Sequence, residues 1–268
     1  MRHTWTTALA ALLAVAAWAA PASAGTLCTL VVDAADGRTV LEEGDCASRV
    51  TPASTFKVAL AVMGFDAGFL KGPRDPVLDY REGDVAWRPE WKAPTDPTRW
   101  LEYSVVWYSQ RITHALGAER LHRYAVAFDY GNADLSGDPG ADNGLDRSWI
   151  GSSLKISPRE QVAFLSKLVA GTLPVSKRAM DQTRAIVETR PAGGWTVHGK
   201  TGAALPRNAD GSFDRARGWG WYVGWAEKDG ATYVFARLIR DETAHKVPVG
   251  FRARDGLLAE WPEMAARF

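Results

Sequence analysis

Only two cysteines, Cys28 and Cys46, occur in the 268 residues, too few for a disulfide-dense scaffold. The five histidines, His3, His114, His122, His198 and His245, have neither the spacing nor the cysteine partners that zinc needs, so a zinc centre is excluded. Charge of one sign is also missing. With 32 Lys and Arg against 31 Asp and Glu, interspersed along the chain, there is no basic stripe for nucleic acid and no basic amphipathic helix for a lipid surface. Long apolar runs are scarce as well: the stretch from Ala8 to Ala20 falls short of the roughly 20 residues that a membrane crossing requires, and no later segment comes closer. Repeats and low-complexity tracts are absent. The expected partner is therefore a small molecule.

What is present begins with a leader. Arg2, the apolar run and the small-residue ending Ala22-Ser23-Ala24 have the form of a secretory signal, so residues 1–24 are expected to be a signal peptide. Residues 25–268 are then the mature protein, periplasmic or secreted, with no cysteine directly after the cleavage site to carry a lipid. An oxidising compartment would allow Cys28 and Cys46, which flank a short predicted hairpin, to form a disulfide; two buried thiols on adjacent strands are the alternative. The remaining length suits one domain of two interleaved parts. It is compatible with a monomer or a homodimer.

The hydrophobic pattern predicts strands over Thr26–Val32 and Thr39–Glu42 around an Asp36-Gly37 turn. From Val58 to Phe65 apolar residues point every way, which requires a buried helix. Residues 74–92 read as a long surface loop. Asp96-Pro97 opens a helix running to about His114, another covers 118–127, and Ser157-Pro158-Arg159-Glu160 has the form of a capping box for a helix to about Leu168. Strands return over 195–204, 218–226 and 232–240, followed by a helix over 252–268 interrupted near Pro262. This order predicts an α/β (α+β) fold, in which one antiparallel sheet is formed from both chain ends, flanked by helices, with an all-helical subdomain inserted.

Within that frame Ser54-Thr55-Phe56-Lys57 places a hydroxyl and an amine one helical turn apart on one face. At the start of a helix the dipole favours developing negative charge on Ser54, and burial lowers the pKa of Lys57, leaving a neutral amine that serves as a base. The pattern alone is weak. Ser152-Ser153-Leu154-Lys155 has it too, but Gly151 and Pro158 leave no room there for a supporting buried helix. What distinguishes Ser54 is its company along the chain: Ser104-Val105-Val106, then Tyr130-Gly131-Asn132, then Lys200-Thr201-Gly202.

With these strings in this order the chain resembles the penicillin-recognising serine enzymes, and among them the class D (oxacillinase-type) serine β-lactamases. Pro52-Ala53-Ser54, the stretch Trp149 to Leu165, and Gly220-Trp221-Tyr222-Val223-Gly224-Trp225 extend the likeness over almost all of the mature chain. The resemblance implies hydrolysis of β-lactam antibiotics through an acyl-enzyme on Ser54. It further implies that Lys57 reacts with carbon dioxide or bicarbonate to become an N6-carboxylysine acting as general base, that Trp149 donates to this carbamate, and that Val106 borders its apolar side. Ser104 would hand a proton to the lactam nitrogen. The amides of Ser54 and Ala203 would form the oxyanion hole, and Lys200, Thr201, Gly202 and Arg252 would hold the substrate carboxylate. Arg252 is preferred over Arg254 because Pro248-Val249-Gly250-Phe251-Arg252 keeps the family spacing, and Tyr130 is carried as a substrate-side residue that serves mainly to shape its loop. Glu160 is read as a helix cap, and Trp87, Trp91 and Trp100 as core or pocket lining. Metal ions and resident cofactors are not implied. The alternative is a β-lactam-sensing module that is acylated without turnover, although such modules hang from a membrane-spanning segment; a cell-wall D,D-peptidase would bring further domains or an anchor.

Overall fold

The strand-forming runs from the two chain ends become neighbours in a single sheet. The structure, a computed structural model, describes residues 25–208 and 210–268; the expected leader, residues 1–24, lies outside the described residues. Strands β1 (Gly25–Asp33), β2 (Thr39–Gly44), β3 (Thr189–Ala192), β4 (Trp195–Ala204), β5 (Trp219–Lys228) and β6 (Ala231–Arg240) lie in the order β2-β1-β6-β5-β4-β3. Every neighbouring pair is antiparallel. Period-two alternation sorts the side chains of β5: Trp221, Val223 and Trp225 enter the larger core, whereas Tyr222 and Ala226 enter the smaller one on the other face.

Eight helices complete the described chain: α1 (Phe56–Asp66), α2 (Pro97–Tyr103), α3 (Val106–Leu116), α4 (Ala118–Ala127), α5 (Gly144–Arg147), α6 (Pro158–Ala170), α7 (Lys177–Ile186) and α8 (Val249–Ala265). Helix α8 covers the smaller core with Val249, Ala253, Leu257, Trp261 and Met264. The others gather on the opposite face around α1, whose residues 56–65 are all buried. Each fully buried Leu, Val or Phe there contributes about 1.5–3 kcal/mol of hydrophobic stabilisation, which anchors the helix carrying Lys57. No helix among the described residues is long and apolar enough to cross a membrane.

Three expectations need correction. The single helix from Asp96 to His114 is two, because Ser104 adopts a left-handed backbone (φ 60°, ψ 37°) that ends α2 before α3 begins at Val106. Helix α8 starts earlier than expected, at Val249, and runs through Pro262, held by Trp261 and Met264 in the core. Helix α7 and strand β3 fill the stretch for which no element was expected. Of the two readings of the cysteines the structure has the disulfide, Cys28 to Cys46, joining β1 to the segment after β2.

Candidate active site

The approach to Ser54 is clamped from three sides. Val50 bridges to Ile156 through both backbone hydrogen bonds, Thr51 Oγ1 donates to the Trp149 carbonyl at 2.9 Å, and the Trp221 indole N–H donates to the Thr51 carbonyl at 2.9 Å. This clamp holds Ala53 at φ 50°, a left-handed conformation costing an L-residue about 1–2 kcal/mol, immediately before Ser54. A short 3₁₀ turn over Ala53–Thr55 then leads into α1. Lys57, one turn on, points its amine back, and Nζ donates to Ser54 Oγ at 3.2 Å. Lys57 is 0% exposed. Burial drives its amine well below the ordinary lysine value, and the nearby charge of Lys200 pushes the same way, so the neutral form is favoured.

Two of the residues expected around this pair carry buried donors without an acceptor. Ser104 Oγ, at the left-handed break between α2 and α3, has no hydrogen-bond partner, and neither has Trp149 Nε1. The Trp149 ring lies 5.6 Å from that of Phe56, the residue before Lys57. Val106 is buried in the first turn of α3, which packs on α1. A buried donor left unpaired costs about 1–3 kcal/mol, so each of the two is available to an acceptor that reaches it.

Strand β4 supplies the third side. Lys200 is 3% exposed; its Nζ donates to the Thr201 carbonyl at 3.2 Å. Burial lowers its pKa to about 8, with Glu188 opposing and the charges of Arg88 and Arg254 adding to the fall. Gly202 lets the strand meet the Ser54 turn, since a Cβ there would stand 2.9 Å from the Pro52 carbonyl oxygen. Gly250 does the same for α8, where a Cβ would be 2.5 Å from the Gly202 carbonyl oxygen. Thr201 is half-buried and Ala203 exposed, so the strand presents an open edge.

A hydroxyl beside a buried amine whose neutral form is favoured, next to a lysine on a glycine-containing strand, is an arrangement for acyl transfer. Residues 27–254 match the penicillin binding protein transpeptidase domain family. Among known proteins, β-lactamase OXA-9 of Klebsiella pneumoniae is 45% identical over 237 residues, covering 88% of this chain and 86% of its own. β-Lactamase OXA-1 of Escherichia coli is 34% identical over 232 residues, 85% of this chain and 80% of its own. The crystal structure of the OXA-427 class D β-lactamase superposes with a TM-score of 0.83 at 46% identity, over 90% of this chain and 98% of that one.

The chain belongs to the class D β-lactamases.

Against the residues expected for a class D enzyme, the structure joins Ser54 and Lys57 directly and brings Lys200 within electrostatic reach of Lys57. Tyr130 needs correction as a substrate-side residue. It is 0% exposed, edge-on to Phe56 and Phe164 at 5.4 and 5.3 Å, so it is a wall of the core beneath α1. Arg252 is also placed differently: its guanidinium binds Asp241 and its Nε donates to the Val247 carbonyl at 3.3 Å. The arginines whose charge reaches Lys200 are Arg88 and Arg254. Glu160 caps α6 through Ser157 and pairs with Arg49, which leaves it no part as a base. Thr51, Trp221 and Gln161, whose Nε2 donates to Thr55 Oγ1 at 2.7 Å, stiffen the Ser54 turn; the Gly-Trp-Tyr string signalled Trp221 without its role. Among the described residues no group of His, Cys, Asp and Glu could hold a metal ion.

Proposed function

We propose that this class D β-lactamase hydrolyses β-lactam antibiotics through an acyl-enzyme on Ser54, a reading carried by the 3.2 Å contact between Ser54 Oγ and the buried Lys57 amine. The base carried at position 57 takes the hydroxyl proton as Ser54 Oγ adds to the lactam carbonyl carbon. The backbone N–H groups of Ser54 and Ala203 receive the developing oxyanion; donors of this kind are worth roughly 10²–10³ in rate each. Ser104 relays the proton taken from Ser54 on to the lactam nitrogen as the C–N bond breaks; water then gives a proton to the base at position 57 as it cleaves the ester, and that proton returns to Ser54 Oγ as it leaves. Lys200 and Thr201 seat the substrate carboxylate, with Arg254 nearer to them in charge than Arg252.

The residues also fit an N6-carboxylysine at position 57. Only an uncharged amine adds to carbon dioxide, and Lys57 is kept uncharged by burial. Trp149 Nε1 and Ser104 Oγ are the buried donors able to hold the product, with Val106 on its apolar side. When formed, that carbamate supplies an oxygen base for both acylation and deacylation. Export to an oxidising compartment, the periplasm or beyond, is part of the same proposal, and the Cys28–Cys46 pair is suited to it.

Turnover of a chromogenic cephalosporin tests the reading. Many turnovers per enzyme are expected from the wild type, loss of at least about 10³-fold from Lys57→Ala, and recovery on adding bicarbonate of activity lost at acidic pH. One equivalent of acylation without release would instead make the chain a sensor, and indifference to bicarbonate would leave Lys57 unmodified.

A further inference from the structure

The ring of Phe251, in the first turn of α8, is approached by two guanidiniums. Arg88 Cζ lies 5.5 Å from its centroid and Arg254 Cζ 4.9 Å from it. Arg254 comes from the same helix, whereas Arg88 comes from the loop that precedes α2, so the pair spans two segments far apart in the chain. Their charges are not equally balanced. Arg254 Nε donates to Asp255 Oδ1 at 2.8 Å, but among the described residues no carboxylate pairs with Arg88, which is exposed.

The two guanidiniums stand at most about 10 Å apart, near or beyond the Debye length of about 8 Å at physiological ionic strength, so their mutual repulsion is largely screened and the unbalanced charge is that of Arg88. A cation–π contact at an exposed site returns only about 0.5–1 kcal/mol. An anion reaching Arg88 would meet a cation that no carboxylate among the described residues pairs. The position is that of the reaction: Gly250, the residue before Phe251, abuts the Gly202 carbonyl, and both arginines bear on Lys200. The seat for the carboxylate of the fused-ring nucleus is already furnished by Lys200 and Thr201, which leaves Arg88 over.

We propose that Arg88, held on Phe251 beside Arg254, forms a subsite for a second anionic group, a carboxylate that the β-lactam carries outside its bicyclic nucleus. Arg88 is then a specificity-determining residue that selects dianionic substrates without acting on the bond that breaks. The proposal rests on the reading of the site as one that is acylated by β-lactams.

Benzylpenicillin and its α-carboxy derivative carbenicillin form a matched pair differing by one carboxylate. Their kcat/KM values, and the second-order rates of Ser54 acylation followed by mass spectrometry, are compared for wild type, Arg88→Gln and Arg88→Lys at low and high ionic strength. Arg88→Gln is expected to lower the carbenicillin value about tenfold, chiefly through KM, and to leave benzylpenicillin within about twofold. Arg88→Lys is expected to restore part of the loss, and high salt to imitate Arg88→Gln. Equal changes for both penicillins, or none for either, would overturn the subsite. Failure of both compounds to acylate the wild type would overturn the underlying reading instead, and the subsite with it; acylation without turnover leaves the subsite to be judged on the acylation rates.

Discussion

Lys57 and Lys200 are both buried, yet their surroundings divide the chemistry between them. Lys57 has a serine hydroxyl as hydrogen-bond partner and the charge of Lys200 nearby, so its protonated form has nothing to stabilise it. Lys200 donates to the Thr201 carbonyl and feels Glu188, and keeps its proton up to about pH 8. The two buried amines are thus pushed apart, Lys57 toward the neutral base and Lys200 toward the cation below about pH 8. The sign for Lys200 is direct: the cation proposed to hold the substrate carboxylate is present below about pH 8 and lost as the pH rises through it. KM for benzylpenicillin should therefore rise several-fold between pH 7 and pH 9 while kcat changes less, as read from full saturation curves; a flat KM over that range would remove Lys200 from carboxylate binding. For Lys57 the linked effect is on stability. Its folded-state pKa is depressed, so the unfolded chain binds the extra proton, and the stability penalty is absent only above the ordinary lysine value of 10.5. The spacing of Ser54 and Lys57 made this pair legible in the sequence. Which of two arginines turns away to Asp241 depended on the fold of the segment before α8, and was not.

Helices and strands place these residues, and their legibility follows the strength of the local pattern. The all-apolar run of α1 and the continuous apolar runs of β5 and β6 read correctly because burial on every side leaves an unbroken hydrophobic stretch bounded by turn residues. The break at Ser104 left none, since a serine held at φ 60° is a tertiary demand with no local signal. Helix α7 did leave one: Ser176 caps it, and Ala179, Met180, Thr183 and Ile186 make a buried stripe, but its polar remainder masked the period. Gly202 is the position where an element boundary becomes catalytic geometry. Gly202→Ala puts a methyl group 2.9 Å from the Pro52 carbonyl oxygen, and both backbones belong to clamped segments, so β4 must retreat from the Ser54 turn. A displacement of a few tenths of an ångström between the Ser54 and Ala203 amides, the proposed oxyanion donors, is expected to lower kcat about 10–100-fold, with a stability loss of about 1–3 kcal/mol. Unchanged kcat in Gly202→Ala would show that the approach of β4 to Pro52 is not needed for the reaction.

The molecule as a whole is tied where its two halves meet. The first strand lies inside the sheet between β2 and β6, and the chain then leaves for the helical part through residues 45–52, the segment that ends at the Ser54 turn. The Cys28–Cys46 bond closes an 18-residue separation across that exit. Restricting the unfolded chain by a loop of this size is worth about 3 kcal/mol on the loop-entropy estimate. The turn itself does not depend on the bond, because the Val50–Ile156 bridge, the Thr51 contact to the Trp149 carbonyl and the Trp221 indole hold it on the other side of Cys46. Stability and catalysis should therefore separate. The double variant Cys28→Ala, Cys46→Ala is expected to unfold at a Tm lower by roughly 6–12 °C, in line with about 3 kcal/mol on a domain of this length, while keeping kcat and KM within about twofold at 25 °C. Thermal melts and saturation kinetics on the same preparation decide it. An unchanged Tm with a large fall in kcat would mean that the bond positions Ser54, and that the clamp described above does not suffice.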